Sequence, residues 1–304
     1  MKRRGLPLDG FLALDKPLGL TSTQALGRAR RALGAAKAGH CGTLDPLATG
    51  VLVLAFGEAT KLVDHVMDGA KRYRFGVRWG EARNTDDAEG AVVATSDHRP
   101  DRAAIEAALP RFLGTIDQVP PAFSAIKRDG QPAYARARAG EAVEMASRRV
   151  RIDRVALVEM PGRGRAVFEV DCGKGTYVRS LGRDLAQVLG TVGFIDELRR
   201  LKVGPFTIEK AFSLASLEAP GYTRAAFLQP VETALDDIPA VAVTGAQAEA
   251  LRQGRAVQLP RAAPALSAMP PGRTIAVLAD DRLIAMARVD ADQIRPLRVL
   301  NRQA

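Results

Sequence analysis

Residues 39–50 read GHCGTLDPLATG and lead directly into an apolar run, VLVLAF. Pro46 fixes its own backbone and disfavours a helical conformation for Asp45, while glycines on both sides can adopt backbone angles that other residues avoid. The pattern predicts a tight loop that presents the Asp45 carboxylate at the mouth of a buried strand over Val51–Phe56. Asp-Pro is also a common turn dipeptide, so the loop alone does not make Asp45 functional.

Length and composition bound the class of protein. The chain has 304 residues, 47% of them hydrophobic, which is enough for one large domain or for a large and a small one. The N-terminus lacks the apolar stretch of a signal peptide and no apolar run is long enough to span a bilayer, so we expect a cytoplasmic protein without membrane contact. Two cysteines and three histidines, none at metal-ligand spacing, predict neither a disulfide framework, a zinc site nor a serine triad.

Charge points to a polyanionic partner. Lys and Arg number 44 against 34 Asp and Glu, which gives a net charge of +10. The basic residues cluster near residues 28–37, 71–83 and 148–154, and three separated clusters favour a nucleic acid over a small phosphate. Arginines on solvated faces, with no partner at all, would produce the same clusters.

One basic cluster lies on a predicted strand. Apolar and basic residues alternate strictly over Arg72–Trp79, which predicts a half-buried strand. Its solvent face would carry Arg72, Arg74 and Arg78. We therefore expect this face to contribute to binding of the polyanion.

The remaining pattern predicts an α+β fold in which helices and strands are interspersed. A polar, glycine- and arginine-rich segment at about 120–147 is expected to be a mobile insertion. The helices are predicted from a Ser22 cap to Gly34, at 59–66, at 101–113, and from a Thr176 cap with Arg179 in the first turn. Further strands are predicted at 10–14, 149–160 and 165–172, and a compact C-terminal unit at 275–278, 283–289 and 295–300.

Missing motifs narrow the chemistry. The sequence has no glycine-rich nucleotide loop, no H-E-x-x-H and no zinc-deaminase signature, so we expect neither a metal nor a cofactor. A lone carboxylate on a rigid loop in a basic protein fits an enzyme in which Asp45 attacks, or stabilises, a sugar carbon that loses its base. Such an enzyme must take the base out of its stack, and His40 and Tyr73 are suitable residue types. A hydrogen-bonded loop histidine and a core tyrosine are the simpler alternatives.

The motif around Asp45, residues 39–61, closely resembles the nucleophile motif of the bacterial tRNA pseudouridine synthase B (TruB) family. Cys41 departs from that motif, where a small residue such as threonine or alanine is expected, and its size fits a packing substitution. The resemblance spans about residues 10–210, and the C-terminal 65 residues resemble the family's PUA module. Further segments similar to the family, in the same order, are Leu14–Gly19, Lys71–Tyr73, Val119–Lys127, Gly175–Leu181 and Leu198–Arg200.

The resemblance implies a pseudouridine synthase fold, a mixed and mostly antiparallel sheet flanked by helices with a central catalytic cleft. It implies a catalytic domain at 1–237 that carries the mobile insertion at 120–147. A small, β-rich, PUA-like RNA-binding domain is expected at 238–304. The implied partner is the T arm of tRNA, and the protein is expected to be a monomer with no obligate protein partner.

The resemblance also implies the site and the reaction. Asp45 would break the C1′–N1 bond of a flipped-out uridine at position 55 in the T loop, after which the base rotates and rejoins through C5. Arg179 would form an ion pair with Asp45, and Tyr73 would stack on the base and assist proton transfer. The other implied substrate-binding residues are His40, Tyr177, Leu198 and Lys16.

Two other functions stay open. A uracil-releasing RNA glycosylase begins by breaking the same bond, and would leave free uracil. A tRNA-binding or tRNA-folding protein would need the basic surface but not the carboxylate.

Overall fold

Within its described residues, the computed structural model has a sheet of ten strands, a sheet of five strands and two small sheets of two strands each, with helices packed on the large sheet. The insertion predicted at 120–147 falls largely outside the residues that the structure describes. The described residues are 5–124, 127–128, 131–132, 136, 145–221, 223–236, 238–258, 269, 272–290 and 293–302.

The strands follow the predicted pattern closely in the first 80 residues and extend it later. The N-terminal strands are β1 (Gly10–Lys16), β2 (Ala38–His40), β3 (Ala48–Phe56), β4 (Lys71–Trp79), β5 (Glu81–Arg83), β6 (Val92–Thr95) and β7 (Gly114–Gln118). The next are β8 (Lys127–Arg128), β9 (Gln131–Pro132), β10 (Arg148–Gly162), β11 (Arg165–Cys172), β12 (Gly193–Val203), β13 (Phe206–Thr207) and β14 (Phe212–Ser213). The C-terminal strands are β15 (Ala240–Ala242), β16 (Val257–Gln258), β17 (Thr274–Ala279), β18 (Arg282–Asp290) and β19 (Gln293–Val299).

The helices are short, and several continue into single 3₁₀ turns. The α-helices are α1 (Ser22–Leu33), α2 (Val63–Asp68), α3 (Arg102–Ala108), α4 (Val178–Val188), α5 (Leu214–Glu218) and α6 (Gly245–Arg252). The 3₁₀ segments are Gly57–Leu62, Leu109–Phe112, Ile208–Lys210, Arg224–Phe227 and Val231–Leu235.

The large sheet is mixed and mostly antiparallel, as predicted. Its order is β14-β1-β3-β12-β4-β11-β10-β7, with β2 added to β3 and β13 to β12. Only the pairs β1–β14 and β3–β12 are parallel among those described in this sheet. Because β12 lies between β3 and β4, the loop that precedes β3 and the first half of β4 meet above the centre of the sheet.

Strand β3 is buried on both faces, which explains its uninterrupted apolar sequence. Leu52 and Leu54 point into a core shared with the helices α1 and α4, whereas Val51 and Val53 point into a second core. Each fully buried Leu or Val side chain contributes about 1.5–3 kcal/mol to folding. The sheet is therefore rigid where it carries the Asp45 loop.

The second core includes residues of the C-terminal sheet. Ala276, Leu283 and Met286 pack in the same cluster as Phe11 and Val53 of the large sheet. The sequence predicted three C-terminal strands, and the described part contains five, in the order β15-β17-β18-β19-β16. The boundary between residues 237 and 238 stays a prediction.

The central strand β12 was not predicted. Its sequence, GFIDELRRLKV, does not alternate between polar and apolar residues. Two irregularities in its pairing with β4, between Ile195 and Glu197 and between Arg200 and Lys202, shift the faces along the strand. A bulged strand therefore lacks the simple two-residue period that identifies strands in a sequence.

Two predicted helix caps were displaced by one residue. Thr21, not Ser22, caps α1, because its hydroxyl accepts a hydrogen bond from the Gln24 amide while the Gln24 side chain accepts from the Thr21 amide. The residue before α4 is Tyr177, and it makes no side-chain cap. Gly34 ends α1 in the left-handed conformation, φ 63°, as predicted.

Gly50 supplies the first stability prediction. Its φ is +95°, and a Cβ built there lies 2.2 Å from the backbone oxygen of Arg200 on the neighbouring strand. Gly50→Ala should lower the free energy of unfolding by at least about 2 kcal/mol, because both strain and overlap with backbone must be relieved. Urea unfolding followed by circular dichroism measures the change.

Gly221 is the matched control for this substitution. It has the same φ, +95°, but no atom of the described residues lies within 4 Å of its added Cβ. Gly221→Ala should therefore cost only the backbone strain. Equal losses in the two variants would contradict the close β3–β12 contact.

Candidate active site

A serine of helix α1 fixes the loop before β3 through hydrogen bonds to its backbone. The Leu44 amide donates to the Ser22 hydroxyl at 2.7 Å, and that hydroxyl lies 3.0 Å from the Leu44 carbonyl oxygen. The Ala48 amide donates to the Asp45 carbonyl at 3.0 Å, which closes the turn that contains Pro46. The backbone on both sides of Asp45 is therefore fixed, and its side chain is left to face the cleft.

Arg179 forms the predicted ion pair with Asp45. Its Nη2 lies 3.0 Å from Asp45 Oδ2, in the first turn of α4. The Arg179 side chain is only 6% exposed, whereas that of Asp45 is 43% exposed. Two backbone carbonyls, those of Thr85 and Phe123, accept further hydrogen bonds from the guanidinium at 3.0 and 2.9 Å. Arg179 is thus rigidly placed, and the carboxylate is the accessible member of the pair.

A second carboxylate, Asp87, shares the same arginine and was not predicted. Asp87 Oδ2 lies 3.3 Å from Arg179 Nη1, and its side chain is 3% exposed. Its other oxygen accepts from the Thr85 hydroxyl at 2.6 Å and from the Glu89 amide at 3.1 Å. Removal of one partner from a buried ion pair costs about 3–5 kcal/mol. Asp87 therefore keeps Arg179 paired if Asp45 changes its charge during a reaction.

The polar run NTDD at residues 84–87 was the available signal for this second carboxylate. Arg183, one helical turn after Arg179, pairs with Asp86 at 2.8 Å. Two arginines of α4 thus bind two adjacent aspartates of one loop. The spacing of the arginines was visible in the sequence, but the loop that they bind lies far earlier in the chain.

Opposing effects act on the Asp45 carboxyl. Burial in the wall of the cleft raises its pKa above the ordinary value of 3.8, the neighbouring Arg179 and Lys16 lower it, and Asp87 raises it. The net direction is upward. The carboxylate is consequently more basic and less well solvated than a surface aspartate, and both properties favour reaction with an electrophilic carbon.

Three predicted substrate-binding residues line the same cleft as Asp45. Tyr73, Tyr177 and Leu198 surround a cavity of about 580 Å³ that opens over the carboxylate. Desolvation raises the pKa of both tyrosines, so their hydroxyls stay protonated at neutral pH. The Tyr177 backbone is anchored by its amide, which donates to the Gln118 side chain at 2.8 Å. The cavity can hold one nucleoside between aromatic and aliphatic walls.

Lys16 lies outside the cleft wall, in contrast to its predicted role in substrate binding. Its side chain is fully buried at the end of β1, and its Nζ donates to the carbonyls of Pro17 and Leu20 at 3.0 and 2.7 Å. Burial lowers the pKa of Lys16 to about 8, with Asp45 acting in the opposite direction. Its ammonium therefore acts on Asp45 through the electrostatic field and holds the loop that follows β1.

His40 also lies away from the residues that surround Asp45. It is in β2 and lines a separate groove with Lys61 and with Arg298 of the C-terminal sheet. Its Nδ1 is buried without a hydrogen-bond partner among the described residues, and burial lowers the pKa of the ring. His40 does not line the cleft that holds Asp45, so its predicted contact with the substrate stays a prediction.

Cys41 packs in the second core and is 1% exposed. Burial raises the pKa of its thiol to about 12. A neutral, inaccessible thiol is a poor nucleophile, so the structure agrees with a packing role.

The cations that face the cleft differ from those expected on β4. Lys71, Arg148, Arg149 and Lys174 line the cleft with Asp45. The predicted basic face of β4 lies on the opposite side of the sheet from Tyr73 and is neutralised by carboxylates. Its ion pairs are Arg72–Asp171, Arg74–Glu159 and Arg78–Asp196, at 2.6, 3.2 and 2.8 Å. The expectation that this face binds a polyanion stays a prediction.

Within the described residues, no three His, Cys, Asp or Glu side chains are grouped so that they could hold a metal ion. No described helix is long and apolar enough to cross a bilayer.

Comparison with solved structures identifies the fold. A chain in the structure of an H/ACA ribonucleoprotein bound to a substrate RNA containing 2′-deoxyuridine superposes with a TM-score of 0.73 at 21% identity. The match covers 99% of this chain and 91% of the other. A chain of a Cbf5-Nop10-Gar1 complex gives a TM-score of 0.72 at 25% identity, over 96% and 84% of the two chains.

Sequence comparison identifies the class of protein as a pseudouridylate synthase. A model of the N-terminal domain of the TruB family matches residues 30–178, and a model of the tRNA pseudouridylate synthase B C-terminal domain matches residues 179–236. The tRNA pseudouridine synthase B of Rhodospirillum rubrum is 51% identical over 99% of both chains. The Caulobacter vibrioides protein of the same name is 50% identical over 98% of both. The chain belongs to the TruB family.

The raised pKa of Asp45 predicts how its removal affects stability. A carboxyl whose pKa is higher in the folded than in the unfolded protein disfavours folding once it ionises, so its cost appears as pH rises through the folded pKa. Asp45→Asn should therefore have a higher Tm than the wild type at pH 7. The difference should shrink towards pH 4 and vanish below the ordinary value of 3.8.

Calorimetric scans of both proteins between pH 4 and pH 8 measure this difference. A variant that is less stable than the wild type at pH 7, with a deficit that grows from acid to neutral pH, would show that Arg179 outweighs burial and that the pKa is lowered.

Proposed function

We propose that this protein converts uridine to pseudouridine at position 55 in the T loop of tRNA. The observation that carries the proposal is the accessible Asp45 carboxylate, paired with the buried Arg179 at 3.0 Å, on the floor of a cavity that can hold one nucleoside. Family membership and relatives named tRNA pseudouridine synthase B support the substrate class. The position in the T loop rests on the family resemblance of the Asp45 motif.

Asp45 supplies the carboxylate that breaks the C1′–N1 bond. It must be ionised to add to C1′ or to remove a sugar proton, so activity falls as pH drops through its raised pKa. Arg179 keeps the Asp45 carboxylate ionised and correctly oriented. Asp87 keeps Arg179 in an ion pair when Asp45 loses its negative charge during the reaction.

The walls of the cavity hold the detached base while it turns. Tyr73 and Tyr177 offer aromatic faces and protonated hydroxyls, and Leu198 offers an apolar surface that does not fix one base orientation. Aromatic stacking contributes about 1–3 kcal/mol per base. A base held by stacking can rotate in its plane and present C5 in place of N1.

The flipped uridine reaches the cavity past a cationic rim. Arg148, Arg149 and Lys174 lie where the phosphates that flank the nucleotide enter. His40 and Arg298 line a second groove beside the cleft, which continues the RNA surface onto the C-terminal sheet. We propose a PUA-like role for that sheet and action as a monomer in the cytoplasm, with tRNA as the macromolecular partner.

The first prediction from this function concerns Asp45. Asp45→Asn should lower the single-turnover rate of pseudouridine formation more than about 1,000-fold, because an amide neither attacks nor accepts the proton. The Kd for tRNA should not change. A chemical stop assay on an unmodified tRNA transcript maps the product at nucleotide resolution, and filter binding gives the Kd.

Asp68→Asn is the matched control, since Asp68 lines the same cleft but pairs with Lys174 at the rim. It should retain nearly full turnover. Free uracil in the wild-type reaction would identify a glycosylase. Wild-type tRNA binding without any product would identify a binding or folding protein instead.

The second prediction concerns the cationic rim. The double variant Arg148→Ala/Arg149→Ala should weaken tRNA binding and reduce the slope of log K against log salt by about 0.7–0.9 for each phosphate that the variant no longer neutralises. The double variant Arg72→Ala/Arg74→Ala, on the opposite face, should leave the slope unchanged because its arginines are already paired. Filter binding between 50 and 200 mM salt, about the range over which such contacts weaken, measures both slopes. The reverse ranking would identify the β4 face as the RNA surface.

A further inference from the structure

Arg200 is a buried cation that the functions described so far do not use. It is 2% exposed and lines the floor of the cleft that holds Asp45. Within the described part of the chain, no carboxylate forms an ion pair with its guanidinium, whereas Arg179 and Arg199 each pair with aspartate. A buried charge without a counter-charge is costly to keep, and its retention calls for a reason.

Backbone carbonyls satisfy the donors of Arg200 without neutralising its charge. Nε donates to the Val51 carbonyl at 2.7 Å, and Nη1 donates to the Thr43 carbonyl at 3.1 Å. A weaker contact of 3.5 Å joins Nη2 to the Gly42 carbonyl. These contacts fix the start of the Asp45 loop, and a neutral donor would suffice for them.

The position of Arg200 in the sheet places it between two parts of the active site. It pairs with Gly50 of β3 on one side and with Tyr73 of β4 on the other. Because Arg200 and Tyr73 are directly opposite each other on paired strands, their side chains leave the same face of the sheet as neighbours, and both line the cleft. A hydroxyl that accepts from Arg200 has its own proton free to donate into the cavity.

The reaction creates an anion at this place. When the C1′–N1 bond breaks, its electron pair stays on uracil, whether Asp45 adds to C1′ or removes a sugar proton. The charge spreads over N1 and the two carbonyl oxygens of the ring. It is withdrawn when C5 forms the new bond to C1′, and C5 then loses its proton to a base.

We propose that Arg200 is a positioning residue that stabilises the detached uracil anion by holding the Tyr73 hydroxyl as a donor towards it and by placing an uncompensated positive charge beneath it. The proposal rests on the proposed function. Before substrate binds, the charge of Arg200 has no partner among the described carboxylates, and the anion supplies one only between the two bond changes. Such an arrangement favours the intermediate over the bound uridine, which is the requirement for catalysis.

The alternative is that Arg200 is a structural residue that only holds the loop. A comparison of two target bases distinguishes this structural role from the electrostatic role. Fluorine at C5 makes the uracil ring more acidic, so its anion needs less stabilisation. A loss of electrostatic stabilisation should therefore slow detachment of 5-fluorouracil less than detachment of uracil. A misplaced loop should slow both equally.

The experiment uses synthetic T-arm hairpins with uridine or 5-fluorouridine at the target position. Single-turnover consumption of the target nucleotide, followed by nuclease digestion and mass spectrometry, is compared for wild type, Arg200→Gln and Arg200→Lys. Arg200→Gln should slow consumption of uridine about 100-fold without a change in Kd. The same substitution should slow consumption of 5-fluorouridine only about 10-fold. Arg200→Lys keeps the charge and should lie between wild type and Arg200→Gln, with a smaller difference between the bases in the same direction.

Arg199→Gln is the matched control, because Arg199 neighbours Arg200 on β12 but points to the other face and pairs with Asp15 at 2.8 Å. It should react with both hairpins like the wild type. Equal deficits on the two bases, or no deficit on uridine, would overturn the proposal. If circular dichroism shows that Arg200→Gln does not fold, the rates of Arg200→Lys on uridine and on 5-fluorouridine test the proposal instead. Failure of the wild type to form pseudouridine would instead overturn the proposed function.

Discussion

The ion pair between Asp45 and Arg179 is the interaction around which this structure is organised. Each partner is fixed by hydrogen bonds from other segments of the chain: Ser22 holds the backbone beside Asp45, and two carbonyls hold Arg179. The arginine is buried and the carboxylate is accessible. The accessible carboxylate is therefore held by a rigid partner, and in the proposed reaction little reorganisation is needed when substrate arrives.

Charge compensation at this site is shared among several groups. Asp87 pairs with Arg179 from the buried side, and Lys16 acts on Asp45 from beneath the loop. These groups surround a carboxyl whose pKa burial raises. The balance leaves a carboxylate that is weakly solvated and still correctly aimed, which is a more reactive state than a surface aspartate would have.

The packing of strand β3 explains why the Asp45 loop has a fixed position. β3 is buried on both faces, with helices on one side and the C-terminal sheet on the other. Its parallel pairing with β12 requires a glycine at Gly50 and brings Arg200 beneath the loop. The C-terminal sheet thus completes the core of the catalytic sheet, in addition to any contact it makes with RNA.

Local sequence determined a large part of this protein. The loop at Asp45, the apolar β3, the alternation in β4 and the first-turn position of Arg179 all follow from turn chemistry and periodicity, which act over a few residues. The bulged β12 was missed because its irregular pairing removes the period of two. The ion pairs that neutralise the outer face of β4 were missed because their carboxylates lie on β10, β11 and β12.

Only the tertiary structure decided which charged groups act together. Asp87 reaches Arg179 from a loop far earlier in the chain, and Arg200 reaches the Thr43 carbonyl across 157 positions. The same packing placed Lys16 beneath the loop and His40 in a separate groove, although their motifs suggested direct contact with substrate. Turn and strand preferences are set by neighbours in sequence, whereas burial and the pairing of charges depend on which distant segments the sheet brings into contact.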